Sequence, residues 1–407
     1  MKKKLLVISN FTRLPWEKGN SRFIYLIDLI DKNKFDVELI TSHFFHGEKR
    51  KHQDLSKQIK DYKITLIDEP GYKKNVSLKR IFSHFIFAQN VKKYLKTIEK
   101  PDVIYCAVPS LEVAKVAADY AEKNGVKFII DIQDLWPEAF KMVFKIPKIS
   151  DFIFRPMEKM ADEVYSKADS IVAVSNTYAD RAGKVNKKYH EKLAVYLGTD
   201  LDYFEKAREK NEIVIFDDVV RVAYIGTLGH SYDLKCIMDA LKIVQSKGIK
   251  NILFVIMGNG PLKGEFEKYA KENGVNCEFT GRLSYEEMVG YLCSCDIAVN
   301  PIRKDAAQSI INKVGDYAAA KLPVISTQEC EEYRKLVDDY EIGCNVENDD
   351  IDEIAYRLEF LYKNEKLRKY LGNNNRKLAE EKFDRKVTYK EIVKLIEREA
   401  NSSDYKL

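Results

Sequence analysis

Short runs of β-branched and apolar residues punctuate this chain, each followed by a stretch of helical periodicity, and the alternation starts afresh halfway along. In the first half the runs are KLLVISN (4–10), DVELITS (36–42), KITLID (63–68), DVIYCAV (102–108), KFIIDIQ (127–133) and SIVAVS (170–175). Amphipathic stretches at 21–32, 79–98 and 110–124 lie between them. Strands that are almost continuously apolar are buried on both faces, and parallel strands need a long crossover between neighbours. Apolar runs separated by helices therefore specify a parallel, doubly wound α/β sheet. The pattern resumes at 220–226, 252–258, 277–281, 297–301 and 322–327. At 407 residues the chain exceeds one ordinary core, so two such domains are expected. We expect the first at 1–205 together with a last helix at 386–407, and the second at 206–385. The polar stretch Phe204 to Asp218 is the expected hinge, and 352–400 is expected to be helical throughout.

Composition removes several classes. Apolar residues at 45% and charged residues at 32% suit a globular protein in water, and no run nears the ~18 residues of a membrane span. The three lysines before Leu5–Ile8 look like the start of a secretion signal, but that apolar run is far below the ~7–15 residues required. A buried first strand in a cytoplasmic protein is expected instead. The seven cysteines form no paired framework, and Cys293–Cys295 has no second ligand pair at zinc spacing. Reduced thiols and no metal site are expected. Net charge is +5, yet residues 1–100 hold 22 basic against 11 acidic residues, so the remainder carries 5 − 11 = −6. A basic first quarter points to an anionic partner. No nucleic-acid module is present. The segment 73–96 combines seven Lys/Arg with a large apolar and aromatic face. It suits peripheral association with an anionic membrane at the inner face of the cell membrane, or equally a core-packed helix with a solvated basic side.

Open α/β sheets bind ligands beyond the carboxyl ends of their strands. Four successive strand ends in the second half carry suitable turns: Gly226-Thr227-Leu228-Gly229-His230, Gly258-Asn259-Gly260, Gly281-Arg282-Leu283 and Asn300-Pro301. Glycine lets backbone approach a phosphate or base, and free amides there cradle anions. Residues 309–320 are expected to form a helix capped by Gln308 or Ser309, with Ile310 and Ile311 in its first turn. Its amino end would favour a diphosphate. Ser309, Lys313 and Asp316 then share a face, with Lys313 one turn in neutralising phosphate and Asp316 two turns in, about 10 Å from the helix start and within reach of ribose hydroxyls. In the first half, Gly19-Asn20-Ser21 opens a helix after the first strand. Asp131 and Asp134 end the fifth strand, and Trp136-Pro137-Glu138 follow.

These pieces carry a resemblance. FVIMGNGPL (254–262), NCEFTGRLSYEEMVGYLCSCDIAVNPI (276–302) and NKVGDYAAAKLPVIST (312–327) resemble the donor half of family 4 glycosyltransferases of the GT-B fold. QDLWPEAF (133–140), ADSIVAVS (168–175) and GTDLDYF (198–204) resemble its branch for bacterial surface polysaccharides, capsule and O-antigen, so the likeness covers nearly the whole chain. The resemblance implies two facing Rossmann-like domains with the last helix crossing back to the first. It implies a nucleotide-sugar donor, UDP-sugar favoured, in the second half and a lipid-linked or saccharide acceptor in the first. It further implies hexosyl or N-acetylhexosaminyl transfer with retention, without metal or cofactor, the nucleotide-sugar being a co-substrate. Asp134, Lys313 and Gln308 are then the candidate catalytic residues, Asp134 orienting or deprotonating an acceptor hydroxyl unless it merely caps the helix after Pro137. Gly19, Asn20, Asp131, Trp136 and Glu138 are its acceptor-side candidates. Gln308 and Asp316 stand where the family has two glutamates, and Thr227 where it has an arginine. Lys313 and Arg282, with Arg303 behind them, are the candidates for the missing charge. Two rivals share the nucleotide site: a GT-B-fold sugar-nucleotide epimerase, and a catalytically silent binding subunit.

Overall fold

A computed structural model describes residues 2–17, 19, 21–56, 59, 61–75, 77–143, 147–304, 306 and 309–402, and no side chain within 142–150. The chain divides into two compact units, Met1–Val195 with Tyr389–Leu407, and Tyr196–Thr388.

The first unit is built on β1 (Lys3–Ser9), β2 (Phe35–Ser42), a short antiparallel pair β3 (Phe44–Phe45) and β4 (Arg50–Lys51), then β5 (Lys63–Ile67), β6 (Val103–Val108), β7 (Lys127–Ile132), β8 (Ser170–Ala173) and β9 (Glu191–Ala194). Its main sheet runs β5-β2-β1-β6-β7-β8-β9, with every pairing parallel. Leu5, Val7, Val37, Leu39, Val103 and Ile129 form the core on one face with Phe23, Leu26 and Ile27 of the helix Arg22–Leu29. Tyr389, Ile392, Leu395 and Ile396 complete that core, so the last helix, Arg385–Ser402, returns to the first unit as expected. Serine begins several helices because its hydroxyl accepts an otherwise orphaned amide: Ser21 from Ile24, Ser77 from Arg80, Ser175 from Tyr178.

The second unit carries β10 (Val220–Ile225), β11 (Ile252–Met257), β12 (Cys277–Gly281), β13 (Ile297–Asn300), β14 (Val324–Ser326) and β15 (Gly343–Asn345). They form a parallel sheet in the order β12-β11-β10-β13-β14-β15. In both sheets the winding reverses beside the first strand, leaving a crevice at the carboxyl ends of β1 and β6 and of β10 and β13.

Three expectations are corrected. The units part after Val195 and Thr388, not at 205 and 385, and Phe204 lies in no hinge. Leu201, Phe204 and Ala207 recur every third residue on the helix Leu201–Lys210, and Phe204 is 0% exposed within the core of the second unit. The helix expected over 309–320 is only Lys313–Ala319, preceded by Asn312 without a side-chain cap. Burial of Ile310 and a hydrogen bond from Gln328 Nε2 to the Ser309 carbonyl (2.6 Å) hold the preceding segment outside the helix. The helix amino end therefore does not reach 308–309. The pair β3–β4, β9 and β15 went unanticipated, being two to four residues long and lacking a β-branched run.

Candidate functional site

A cleft of about 680 Å³ opens at the carboxyl edge of the second sheet. Its walls are Ile225-Gly226-Thr227 after β10, Met257-Gly258-Asn259-Gly260 after β11, Arg282-Leu283 after β12, and Met288, Asn312, Lys313 and Asp316 from the helices beyond. The first two turns lie backbone on backbone: the Gly226 amide donates to the Met257 carbonyl (3.0 Å) and the Leu228 amide to Asn259 (3.0 Å). A Cβ on Gly258 would stand 1.8 Å from the Gly226 carbonyl oxygen, and one on Gly260 2.3 Å from that of Leu228. Gly226 itself is at φ +132°, a conformation that side chains rarely adopt.

Lys313 enters this cleft from the start of its helix, 8% exposed. Its Nζ stands 4.0 Å from the centroid of the Tyr224 ring and 3.8 Å from that of Tyr232, and has no hydrogen-bond partner among the described residues. Burial drives its pKa well below that of an ordinary lysine. Asp316, one turn on, accepts from Tyr285 Oη (2.8 Å) and Thr199 Oγ1 (3.1 Å), both through Oδ1. Burial raises its carboxyl to about 6, against the pull of those two bonds and of the Arg385 charge.

The structure thus brings together Gly226, Thr227, Gly258, Asn259, Gly260, Arg282, Leu283, Lys313 and Asp316. Others named from the sequence stand apart. His230 is exposed outside the cleft wall, and Gly229 closes a turn by accepting from the Tyr232 amide (3.1 Å). The side chains of Ile310 and Ile311 pack in the core, and Ser309 does not line the cleft. Gln308 lies outside the described residues. Met288 and Asn312 were missed: a methionine two turns from a strand end and an asparagine expected inside a helix carry no distinctive pattern.

At the carboxyl edge of the first sheet, Asp134 accepts from the Leu135 amide (3.0 Å), Trp136 Nε1 (3.2 Å) and Tyr178 Oη (3.5 Å). Burial raises its pKa, opposed by those bonds and by the Arg80 charge. Arg80, expected with Lys73, Lys74 and Lys79 on the basic face of 73–96, instead turns inward and lies 4.7 Å from the Trp136 ring and 5.5 Å from Phe11, while His84 stacks on Trp136 at 6.0 Å. Trp136 is itself buried. Asp131 is no acceptor-side residue: its side chain is 0% exposed, pairs with Arg22 Nε (2.7 Å) and accepts from Tyr105 Oη (2.7 Å). Glu138 takes Arg181 Nε through Oε1 (2.6 Å) in a bridge that also holds Asp162, while its Oε2 has no partner among the described residues. Gly19 adopts φ +112° beside the Arg13 guanidinium, and Asn20 lies outside the described residues.

The helix Leu78–Tyr94 leaves Leu78 (84%), Ile81, Phe82 and Phe85 exposed, flanked by exposed Lys73, Lys74 and Lys79. In the same unit Phe152 (79%) and Ile153 are exposed on the helix Pro147–Lys167. Among the described residues no helix is long and apolar enough to cross a membrane, and no group of three metal-binding side chains occurs.

Known proteins share this design. The family model for glycosyl transferases group 1 matches residues 205–378, which carry the cleft. A capsular polysaccharide biosynthesis glycosyltransferase of Staphylococcus aureus, CapM, is 22% identical over 384 residues, 90% of each chain. An α-1,4-N-acetyl-D-galactosaminyltransferase of Campylobacter jejuni, named for a PP-undecaprenol-linked saccharide, is 24% identical over 84% of this chain and 86% of its own. Among solved structures, HepE of Anabaena in complex with UDP superposes with a TM-score of 0.66 at 14% identity, covering 98% of this chain and 100% of that one.

Proposed function

From its place among the group 1 glycosyltransferases of the GT-B fold, we propose that this chain transfers a hexosyl or N-acetylhexosaminyl unit from a UDP-sugar to a saccharide or lipid-linked acceptor. The acceptor belongs to a cell-surface polysaccharide, the anomeric configuration is retained, and no metal or cofactor takes part. The observation that carries the donor assignment is Lys313, a buried amine with no hydrogen-bond partner among the described residues, in the wall of a glycine-lined cleft. Leaving a buried polar group unpartnered costs free energy, and a nucleoside diphosphate supplies the missing anion. As the bond from the anomeric carbon to the diphosphate oxygen breaks, negative charge grows on the leaving group. Lys313, with Arg282 on the turn after β12, stabilises that charge where it develops and takes the place of a divalent ion. Asp316 takes the ribose hydroxyls. In the first unit Asp134, with its raised proton affinity, accepts from the attacking acceptor hydroxyl.

The choice of uridine leans on HepE, and the polysaccharide acceptor on CapM and the Campylobacter jejuni enzyme. A lipid-linked acceptor agrees with the exposed apolar residues and lysines around Leu78, which support peripheral contact with an anionic membrane.

A thermal-shift panel of nucleoside diphosphates and their sugar conjugates tests the donor, because a ligand of the native state raises the melting temperature by mass action. UDP and a UDP-sugar are expected to stabilise most, and turnover with an acceptor is expected to survive EDTA. Stabilisation by another nucleotide alone refutes the uridine assignment. Turnover lost in EDTA and restored by Mg²⁺ refutes the metal-free one. A sugar product still bearing its nucleotide marks an epimerase.

A further inference from the structure

Asp316 is held in an unusual way for a ligand-binding carboxylate. Oδ1 takes two hydroxyl donors, Tyr285 Oη at 2.8 Å and Thr199 Oγ1 at 3.1 Å, while Oδ2 has no partner among the described residues and the residue lines the cleft. Each donor is itself fixed by local structure. Ser284 and Glu287 form a reciprocal capping box that sets the start of the helix Tyr285–Cys293, so Tyr285 is the first helical residue. Its ring stacks on Tyr203 at 5.7 Å and 10°, and the Tyr203 hydroxyl is anchored on Glu286. Thr199 is clamped on its backbone, its amide donating to the Phe383 carbonyl (2.8 Å) and its carbonyl accepting from the Arg385 amide (3.2 Å). Two glycines allow this approach. A Cβ on Gly315 would stand 2.8 Å from Thr199 Oγ1, and one on Gly198, at φ +61°, only 2.3 Å from the Phe383 carbonyl oxygen.

We propose that Tyr285 and Thr199 are positioning residues of the donor site, fixing Oδ1 of Asp316 so that Oδ2 is presented to the ribose hydroxyls of the bound nucleotide. This rests on the assignment of Asp316 as the ribose anchor. A carboxylate gripped on one oxygen by two hydroxyls has one rotamer and one free acceptor, which is pre-organisation of the kind that raises affinity without adding a contact.

The same geometry has a titration signature. Asp316 is surrounded by Tyr285 and Cys293 of one helix, Arg385 at the start of the last helix, Lys313 and Tyr317 of its own helix, and Asp200 behind Tyr285. Its carboxyl sits near 6 because burial raises it while the two hydroxyls and Arg385 lower it. Removing a hydroxyl therefore moves it upward. The ionised form is the better acceptor, so affinity is present above this pKa and lost as pH falls through it.

Affinity for UDP is to be measured by calorimetry between about pH 5 and pH 8 on the full-length wild type and on Asp316→Asn, Tyr285→Phe, Thr199→Val and Thr199→Ser, each checked for an unchanged melting temperature. At the alkaline end Tyr285→Phe and Thr199→Val are each expected to weaken UDP roughly three- to tenfold, and Thr199→Ser to restore wild-type affinity. The pH of half-maximal affinity, about 6 in the wild type, is expected to move upward in Tyr285→Phe and Thr199→Val alone. If Asp316→Asn weakens binding while the hydroxyl variants keep both affinity and midpoint, the positioning role is overturned and the ribose anchor stands. Weakening without a midpoint shift marks packing damage and also overturns it. If Asp316→Asn binds UDP as the wild type does, the anchor assignment falls and the positioning role with it.

Discussion

The role proposed for Lys313 rests on what its side chain lacks. A lysine enclosed by two tyrosine rings, with no acceptor on Nζ among the described residues, costs the fold stability. Its folded pKa lies well below the unfolded value of 10.5, so stability is highest above that value and falls as pH drops toward the folded pKa, the unfolded chain taking the proton first. Lys313→Met removes this dependence. At neutral pH the variant is expected to be more stable by about 1–3 kcal/mol in urea denaturation, and to bind UDP at least roughly tenfold more weakly by calorimetry. A destabilised variant with unaltered UDP affinity would assign Lys313 to the core instead. Lys313 and Asp316 were legible in the sequence because a strand-end rule and a three-residue spacing suffice to bring them to one edge. Asp131 was not. As a carboxylate at a strand end it looks the same as Asp134, and what separates them is Arg22, 109 positions earlier in the chain. No local pattern announces such a partner.

Between elements, that pairing is a fastener. Arg22 reaches from its helix to Asp131 on β7 through Nε (2.7 Å) and Nη2 (3.2 Å), and through Nη1 to Tyr389 Oη (3.0 Å) on the last helix. Tyr105 on β6 adds a second donor to the carboxylate. Four elements of the first unit thus meet on one buried ion pair. Removing one charge leaves the other buried alone, so Asp131→Asn is expected to cost about 3–5 kcal/mol of stability in that unit. UDP affinity, proposed for the second unit, is expected to stay unchanged. Differential scanning calorimetry with and without UDP checks both, and a variant as stable as the wild type would show that the asparagine re-pairs with Arg22. At this scale the long apolar runs made the sheet strands readable, since buried parallel strands leave little else for β-branched residues to do. The helix Lys313–Ala319 was misjudged at its start because periodicity cannot tell a helical turn from an extended segment whose isoleucine is buried for tertiary reasons.

For the molecule as a whole, the charge imbalance between the first hundred residues and the rest was visible by counting, while its consequence depends on what lies beside the charges. Lys73, Lys74 and Lys79 are exposed next to Leu78, Ile81 and Phe82, whereas Arg80 turns inward onto Trp136. Lys73, Lys74 and Lys79 are therefore the residues to test in the proposed membrane contact, and reversing Arg80 would damage the neighbourhood of Asp134 instead. Each lysine at an anionic surface contributes about 1 kcal/mol, screened over about 8 Å at physiological salt. Phe82 and Phe152 add apolar area to bury in the interface. The wild type is accordingly expected to float with vesicles containing anionic lipid at low salt and to be released at high salt. Reversal of Lys73, Lys74 and Lys79 to glutamate should remove more than the three attractions, since each site becomes repulsive, so a loss of at least roughly a hundredfold in partitioning is expected. Hydrolysis of the UDP-sugar in solution should be unaffected, because its cleft lies in the second unit. Phe82→Ser with Phe152→Ser should weaken binding at every salt concentration, whereas the lysine reversals act through charge and matter most at low salt. If the wild type stays with the soluble fraction at low salt, the basic patch is a solvated surface and the acceptor is delivered without a membrane.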